Sequence, residues 1–344
     1  LFAKAENVKC VVGYLDHSLL TMYHNDAKNK HLNPHLVDVF LSTDRQMLYF
    51  VVNLKTLRQL DDKAYLNPPS SWSSKHAAWE VNFADGHREF AQSVGTDPDH
   101  GTLVHYVGTG SRYANKSDSE VQYVNISGKA SDKSKIHFKR VPFCITPPPT
   151  AYRATTNNGN SIVKYEYHLT ACTSILGTFP LPYFKEWLSF HILQGFQHFY
   201  IYMNDITDHT VSWSTELSMY IDKGYVTIIN WTQPRIYDGK FRFQQSQYHS
   251  CIYRAKGRSQ WLGLFDADEY WVSWGKSVHS THSTLFNVAD HKPVYANPYK
   301  DLYVLHIRAM SHNMSFNNAT QIVPDLQYVE QKVIDNMKTF EIVS

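Results

Sequence analysis

Trp261-Leu262-Gly263-Leu264-Phe265-Asp266-Ala267-Asp268-Glu269 is the stretch from which the fold of this chain is read. Its first five residues offer no polar face, as a central strand covered on both sides requires. The run then breaks into Asp266, Asp268 and Glu269. In open α/β sheets ligands collect beyond the carboxyl ends of the strands, so these acids fall where a site is expected. Like charges this close repel one another unless a cation or hydrogen-bond donors offset them. A hard divalent ion, Mn²⁺ or Mg²⁺, takes oxygen ligands and keeps positions open for a diphosphate. Asp-x-Asp alone also occurs in ordinary solvated turns, so the surrounding sequence has to carry the reading.

Working outward, strand and helix patterns alternate. Val163 to Cys172 reads as a strand, Tyr183 to Gln194 as a helix capped by Gly195, and His198 to Met203 as a strand. A helix over Trp213 to Asp222 closed by Gly224, a strand over Tyr225 to Trp231 and a helix over Phe241 to Ala255 lead up to Trp261. Repeated units of this kind predict an α/β fold with a mainly parallel sheet and flanking helices.

The N-terminal part reads differently. Val8 to Leu15, Leu36 to Leu41, Met47 to Leu54, Trp79 to Phe83, His87 to Phe90, Thr102 to Val107, Val121 to Ile126 and Ile136 to Phe143 are strand-like. Asp85-Gly86 signals a hairpin with positive φ at both turn positions. A β-rich, sandwich-like domain over residues 1–145 is expected. Thr146-Pro147-Pro148-Pro149 is held extended by its prolines, so 146–160 reads as a linker before a second domain over 161–344. The turn Asn157-Asn158-Gly159-Asn160 lies inside that linker.

With 344 residues the chain can bury two cores, and 23 Tyr, 18 Phe and 8 Trp argue against disorder. A formal charge of +2 without a basic stripe gives no reason to expect nucleic acid as a partner. Cys10, Cys144, Cys172 and Cys251 lie far apart without a CxxC pair, which disfavours structural zinc and leaves room for two disulfides. Five Asn-x-Ser/Thr sequons, at Asn115, Asn125, Asn230, Asn313 and Asn318, join the cysteines in pointing to a secretory compartment. The first residue is Leu1 rather than Met, the expected sign of a fragment of a longer protein.

Glu186-Trp187, Phe190-His191, Gly195, His198-Phe199-Tyr200-Ile201-Tyr202, Asn204, Trp231, Gln245, Cys251 and Trp261 to Glu269 occur in that order. Together they resemble glycosyltransferase family 92 over about residues 165 to 310. The resemblance implies a GT-A fold, Rossmann-like in layout. It implies inverting transfer of galactose from UDP-galactose, with β linkage, onto a glycan or polysaccharide acceptor. A Golgi membrane protein with a lumenal catalytic domain is implied as well. Asp266 and Asp268 would be the motif that engages the metal and the donor nucleotide, Asp268 being the preferred direct ligand. His306, in Tyr303-Val304-Leu305-His306, resembles the histidine that completes the metal site in many GT-A enzymes; His312 is a rival.

Other candidates come from the residues themselves. Asn204 and Asp205 follow a strand at the same carboxyl edge and can hydrogen-bond the uridine or ribose, although Asn-Asp is equally ordinary loop chemistry. Gln244 and Gln245 can orient the donor or simply face solvent. Inversion needs a base near the acceptor hydroxyl, for which Glu269 is the candidate; its other role would be to hold neighbouring backbone. Asp290, Asp301 and Asp325 are alternative bases. Trp187 and His191, four residues apart on one helix face, read as core packing. Tyr270-Trp271 could offer a platform to a sugar, with packing favoured for Trp271; Trp72 and Trp79 have the same two readings. Cys172 and Cys251, both inside the family-like region, can pair. The rival classes are a carbohydrate-binding or scaffold protein without turnover, and a metal-dependent phosphohydrolase that would need more ligands on other strand ends.

Overall fold

The computed structural model describes residues 8–53, 77–147, 165–204, 213–231 and 244–273, apart from 12–13, 17, 23–33, 98–101, 132 and 177–178, together with the strands 153–155, 161–163, 285–287, 292–294 and 302–306. In chain order the first elements are β1 (Cys10–Val11), β2 (Tyr14–Leu15), α1 (Leu19–Met22), β3 (His35–Leu41), β4 (Met47–Asn53), β5 (Ala78–Phe83), β6 (Arg88–Phe90), β7 (Gln92–Asp97), β8 (Thr102–Gly108), β9 (Val121–Lys129) and β10 (Lys135–Cys144). There follow β11 (Arg153–Thr155), β12 (Ser161–Val163), β13 (Tyr167–Leu176), α2 (Leu181–Leu193), β14 (His198–Asn204), α3 (Trp213–Glu216), α4 (Ser218–Asp222) and β15 (Val226–Asn230). The last described elements are α5 (Gln244–Ala255), β16 (Ser259–Leu264), β17 (Glu269–Ser273), β18 (Leu285–Asn287), β19 (Lys292–Val294) and β20 (Leu302–His306). Two compact units result: Leu1–Tyr152 with Met203–Asp205 and Ile229–Arg258, and Arg153–Tyr202 with Ile206–Ile228 and Ser259–Ser344.

In the first unit two four-stranded antiparallel sheets form, ordered β3-β4-β8-β7 and β10-β9-β5-β6. Alternation along β5 sends Trp79, Val81 and Phe83 inward and leaves Glu80 and Asn82 partly exposed. The inward residues share one hydrophobic core with Leu36, Val39, Phe50 and Val52 of the other sheet, and the rings of Phe50 and Trp79 meet edge-on at 5.9 Å. Trp79 is therefore a core residue and not an exposed sugar platform; Trp72 lies outside the described residues. Asp85-Gly86 does join two strands, but only Gly86 takes a positive φ, 83°. Gly86 N–H donates to Phe83 O and Phe83 N–H to His87 O, so the loop is a turn followed by a left-handed glycine, longer than the two-residue hairpin expected.

β3 is buried along its whole length, because α5 covers the face turned away from the other sheet. This helix belongs to the first unit, although its position in the sequence, between β15 and β16, suggested a place among the strand–helix repeats. Ser246 Oγ on α5 accepts a bond from Asn53 Nδ2 at 3.0 Å and lies 2.9 Å from Thr102 Oγ1. The Arg254 guanidinium grips the Asp38 carboxylate with two nitrogens, at 2.6 and 3.1 Å, and lies 4.3 Å above the ring of Phe40. A disulfide joins Cys10 to Cys144. Cys172 and Cys251 are buried thiols, so the second pairing does not form; each is enclosed in a different unit, Cys172 on β13 and Cys251 on α5.

In the second unit β11 and β12 pair as a hairpin inside and just beyond the stretch read as a linker, with the turn 156–160 outside the described residues. The main sheet has the order β15-β14-β13-β16-β18-β19. β13 and β16 run parallel, with Cys172 opposite Leu264, whereas β16 with β18 and β18 with β19 run antiparallel. The fold is α/β and this sheet is mixed. The bonds from Phe199 N–H to Tyr225 O and from Trp231 N–H to Met203 O advance in the same direction on β14 and β15, as in a parallel pair. β18 and β19, joined by a connection too short for a crossover, add an antiparallel edge. α2 starts with Pro180 at its N-cap and ends against Gly195, whose φ of 97° is the left-handed stop that the sequence predicts. The single helix expected over Trp213 to Asp222 is two short helices that break at Leu217. No described helix is long and apolar enough to cross a membrane.

Candidate active site

β16 carries its ladder one step beyond its last residue, where Phe265 N–H donates to Cys172 O at 3.3 Å. Asp266 to Glu269 then form a tight turn. Glu269 N–H donates to Asp266 O, and Asp266 N–H donates back to Glu269 Oε2, both at 3.1 Å. Ala267 is buried at the centre, while Asp266, Asp268 and Glu269 are partly exposed. The backbone-holding role considered for Glu269 is thus a visible hydrogen bond.

What keeps this turn in place is α2. Trp187 Nε1 donates to Glu269 O at 2.8 Å, and Trp271 N–H donates to His191 Nε2 at 3.1 Å. Because Nε2 accepts, the proton must sit on His191 Nδ1, which lies 2.8 Å from Trp187 O and donates to it. Burial pushes the His191 pKa down to about 3 and keeps the imidazole neutral. Trp187 and His191 do pack in the core, as expected, and they also clamp the backbone on either side of Tyr270. Rings close round them: Trp187 to Phe265 at 5.4 Å, His191 to Phe265 at 5.0 Å and Phe265 to Trp271 at 4.7 Å. Gly263 makes room for this cluster, since a Cβ there would come within 2.9 Å of the Phe265 ring and 3.2 Å of the Trp271 ring.

Tyr270 and Trp271 are 2% and 1% exposed, so neither is a sugar platform; both are core. The Tyr270 phenol is held protonated, by burial first and then by the negative charges of Glu186 and Asp268. Glu186 is a carboxylate whose role the sequence did not reveal. It precedes the clamp residue Trp187 on α2, and it shares an electrostatic neighbour with Asp268.

His306 ends β20, which pairs with β17 so that His306 stands directly opposite Glu269 in the backbone register. The fold therefore brings the strand of His306 to the acid turn; the histidine side chain is not among those described. Asn204 closes β14 and is 6% exposed. Gln245 lies on α5, its side chain outside the described residues, and α5 and Asn204 group with the first unit while the acids group with the second. Asp205, Asp290, Asp301, His312 and Asp325 lie outside the described residues. Among the described residues no group of three or more His, Cys, Asp or Glu forms a ready metal cage.

A model of glycosyltransferase family 92 matches residues 167–343, more than half of the chain. The chain belongs to glycosyltransferase family 92. The region shared with family 92 holds α2, the acid turn and β20, that is, every part of the clamp just described. A family 92 protein of Ricinus communis is 30% identical over 121 residues, 35% of this chain and 18% of that protein. A galactan β-1,4-galactosyltransferase of Arabidopsis thaliana is 23% identical over 125 residues, 36% of this chain and 24% of that protein. The alignments thus span less than a quarter of the length of these two relatives. Among solved structures, a ferredoxin-NADP⁺ reductase from Plasmodium falciparum overlays at a TM-score of 0.19 and 10% identity, over 68% of this chain and 86% of that one, too slight a likeness to bear on the fold.

Proposed function

We propose that this protein is a metal-dependent inverting glycosyltransferase of GT-A architecture that moves galactose from UDP-galactose onto a glycan hydroxyl with β linkage. The observation that carries the reading is the Asp266–Glu269 turn at the carboxyl end of a strand, clamped by α2 within the family 92 region. Galactose is favoured by the similarity to the Arabidopsis galactan galactosyltransferase. The partly exposed carboxylates fit a hard cation that leaves positions open for diphosphate oxygens. Asp266, Asp268 and His306 would hold Mn²⁺ or Mg²⁺, and the ion would offset the charge of the departing diphosphate. Asn204, Asp205 and Gln245 are assigned to the donor nucleotide. A sandwich-like N-terminal domain and a Golgi-lumenal location complete the proposal.

Within this scheme the residues of the turn have separate tasks. The bond from Asp266 N–H to Glu269 fixes the backbone between the two aspartates, so their carboxylates need little rearrangement when donor arrives. Glu269 is also the candidate base, since it lies in the same turn and a carboxylate can take the acceptor proton. Glu269→Gln separates its two roles: the amide oxygen still accepts from Asp266 N–H but cannot accept a proton.

The test of the function is UDP release from a panel of UDP-sugars with Mn²⁺, with and without chelator, for the wild type and Asp268→Ala. Release that favours UDP-galactose, needs metal and is lost in the variant supports the proposal. No release from any donor, with or without a glycan mixture, overturns it.

A further inference from the structure

The asparagines of three sequons, Asn115, Asn125 and Asn230, are described residues of the first unit, and their amides are not equivalent. N-glycosylation joins Asn Nδ2 to the anomeric carbon of a sugar; that carbon parts from a lipid-linked diphosphate, and one amide proton leaves with the diphosphate. The Oδ1 atom is untouched. The question for each sequon is therefore which atom of the amide the fold already uses.

At Asn125 the fold uses the oxygen. β10 bulges between Phe138 and Val141, where Arg140 takes a φ of 51°. The Arg140 N–H donates instead to the Asn125 side chain at 2.8 Å. A backbone N–H can only donate, so the atom it meets is Oδ1 and Nδ2 is turned the other way. Asn125 itself is exposed on the outer face of its sheet. It lines a groove of about 320 Å³ with Glu80, Asn82, Arg88, His137 and Lys139. Every one of these side chains can hydrogen-bond a sugar hydroxyl or an acetamido group.

At Asn230 the fold uses the nitrogen. Nδ2 donates to Asp16 O at 3.1 Å, the residue is half-buried, and the neighbouring Trp231 is 1% exposed. A sugar on that nitrogen would replace one of its two hydrogens and would have to be seated beside Asp16, against a side chain already half covered. Asn115 offers no such obstacle, being exposed in the turn that follows Tyr113. The disulfide between Cys10 and Cys144 independently favours an oxidising compartment, the setting in which this modification is made.

We propose that Asn125 and Asn115 carry N-glycans, that the first sugar on Asn125 lies in the groove beside Glu80, Asn82, Arg88, His137 and Lys139, and that Asn230 stays bare. The experiment is peptide-level mass spectrometry of the full chain secreted from eukaryotic cells, with each formerly glycosylated Asn marked by its conversion to Asp on enzymatic release. The site-by-site readout keeps Asn313 and Asn318 separate. Expected are marked Asn115 and Asn125 and an unmarked Asn230. Ser127→Ala, which destroys the sequon but keeps the Asn125–Arg140 bond, should lose one glycan of gel mass, and Thr232→Ala none. On native protein the Asn125 glycan should be released more slowly than the Asn115 glycan, and at the same rate once both are denatured. A bare Asn125 in the secreted chain, or a glycan on Asn230, overturns the assignment of sites; equal native release overturns the groove.

Discussion

α5 and α2 each fix a strand of this protein, and they do it with opposite chemistry. On α5 a charged side chain, Arg254, grips buried Asp38 of β3, with both side chains less than a tenth exposed. On α2 the neutral Trp187 and His191 hold main-chain atoms of Glu269 and Trp271. A buried ion pair contributes little net stability over an apolar packing, yet breaking it is costly because the survivor is left charged in a dry place. A neutral bond to backbone carries no such stored penalty, and it fixes the main chain itself rather than one side chain. The first arrangement suits a strand whose task is to be covered. The second suits a strand that must present the preceding residues at a defined position without adding charge beside carboxylates.

The largest effect should come from breaking the charged grip. Arg254→Leu leaves Asp38 without its cation and should cost about 3–5 kcal/mol in urea unfolding. The double variant Asp38→Leu with Arg254→Met should recover most of that loss. If the single variant costs no more than the double, the contrast between the two helices is mistaken.

Acid attacks the neutral side of the comparison. His191 has its pKa pushed down to about 3 and His105 to about 4, in both cases by burial, from 6.5. The unfolded chain binds a proton near pH 6.5 that the folded chain refuses, so their contribution is complete above that pH. It is lost as pH falls toward about 4 and then about 3, each histidine costing about 1.4 kcal/mol per pH unit within its window. Denaturant melts between pH 7 and 5 read this slope, and His105→Gln should leave only the His191 share.

Gly263→Ala drives a methyl into the Phe265 and Trp271 rings and should cost about 1–3 kcal/mol, with a fall in UDP release because the same rings lie beneath the turn. Trp187→Phe is the mildest and most informative change. It keeps a ring but removes the donor to Glu269 O, for a stability cost of about 1 kcal/mol. Its effect on kcat should exceed what that stability loss explains, whereas a loss of activity that tracks unfolding alone would reduce Trp187 to packing.

Much of this was legible in advance because it is local. The apolar run into Asp266, the left-handed Gly195 after α2 and the strand β14 follow from residues within a few positions of each other. The order of motifs from Glu186 to Glu269 marks family 92 in the sequence itself. Trp187 and His191 were seen on one helix face, but their N–H and ring nitrogen point at partners about eighty positions away, as the bonds to Glu269 and Trp271 show. The signal that could have exposed them is that two polar-tipped aromatics stand where leucines would pack as well.

Sequence alone determined the alternation of strands and helices, the carboxylates after β16 and the sequons, since each depends on backbone preference and residue spacing. Only the tertiary structure decided that α5 serves the β-rich unit, that the main sheet is mixed, that Cys172 and Cys251 remain thiols, and that α2 holds the acid turn. The reason is physical: a pattern of apolar residues says that a face will be covered, and long-range packing, which minimises the polar groups left unpaired, selects what covers it.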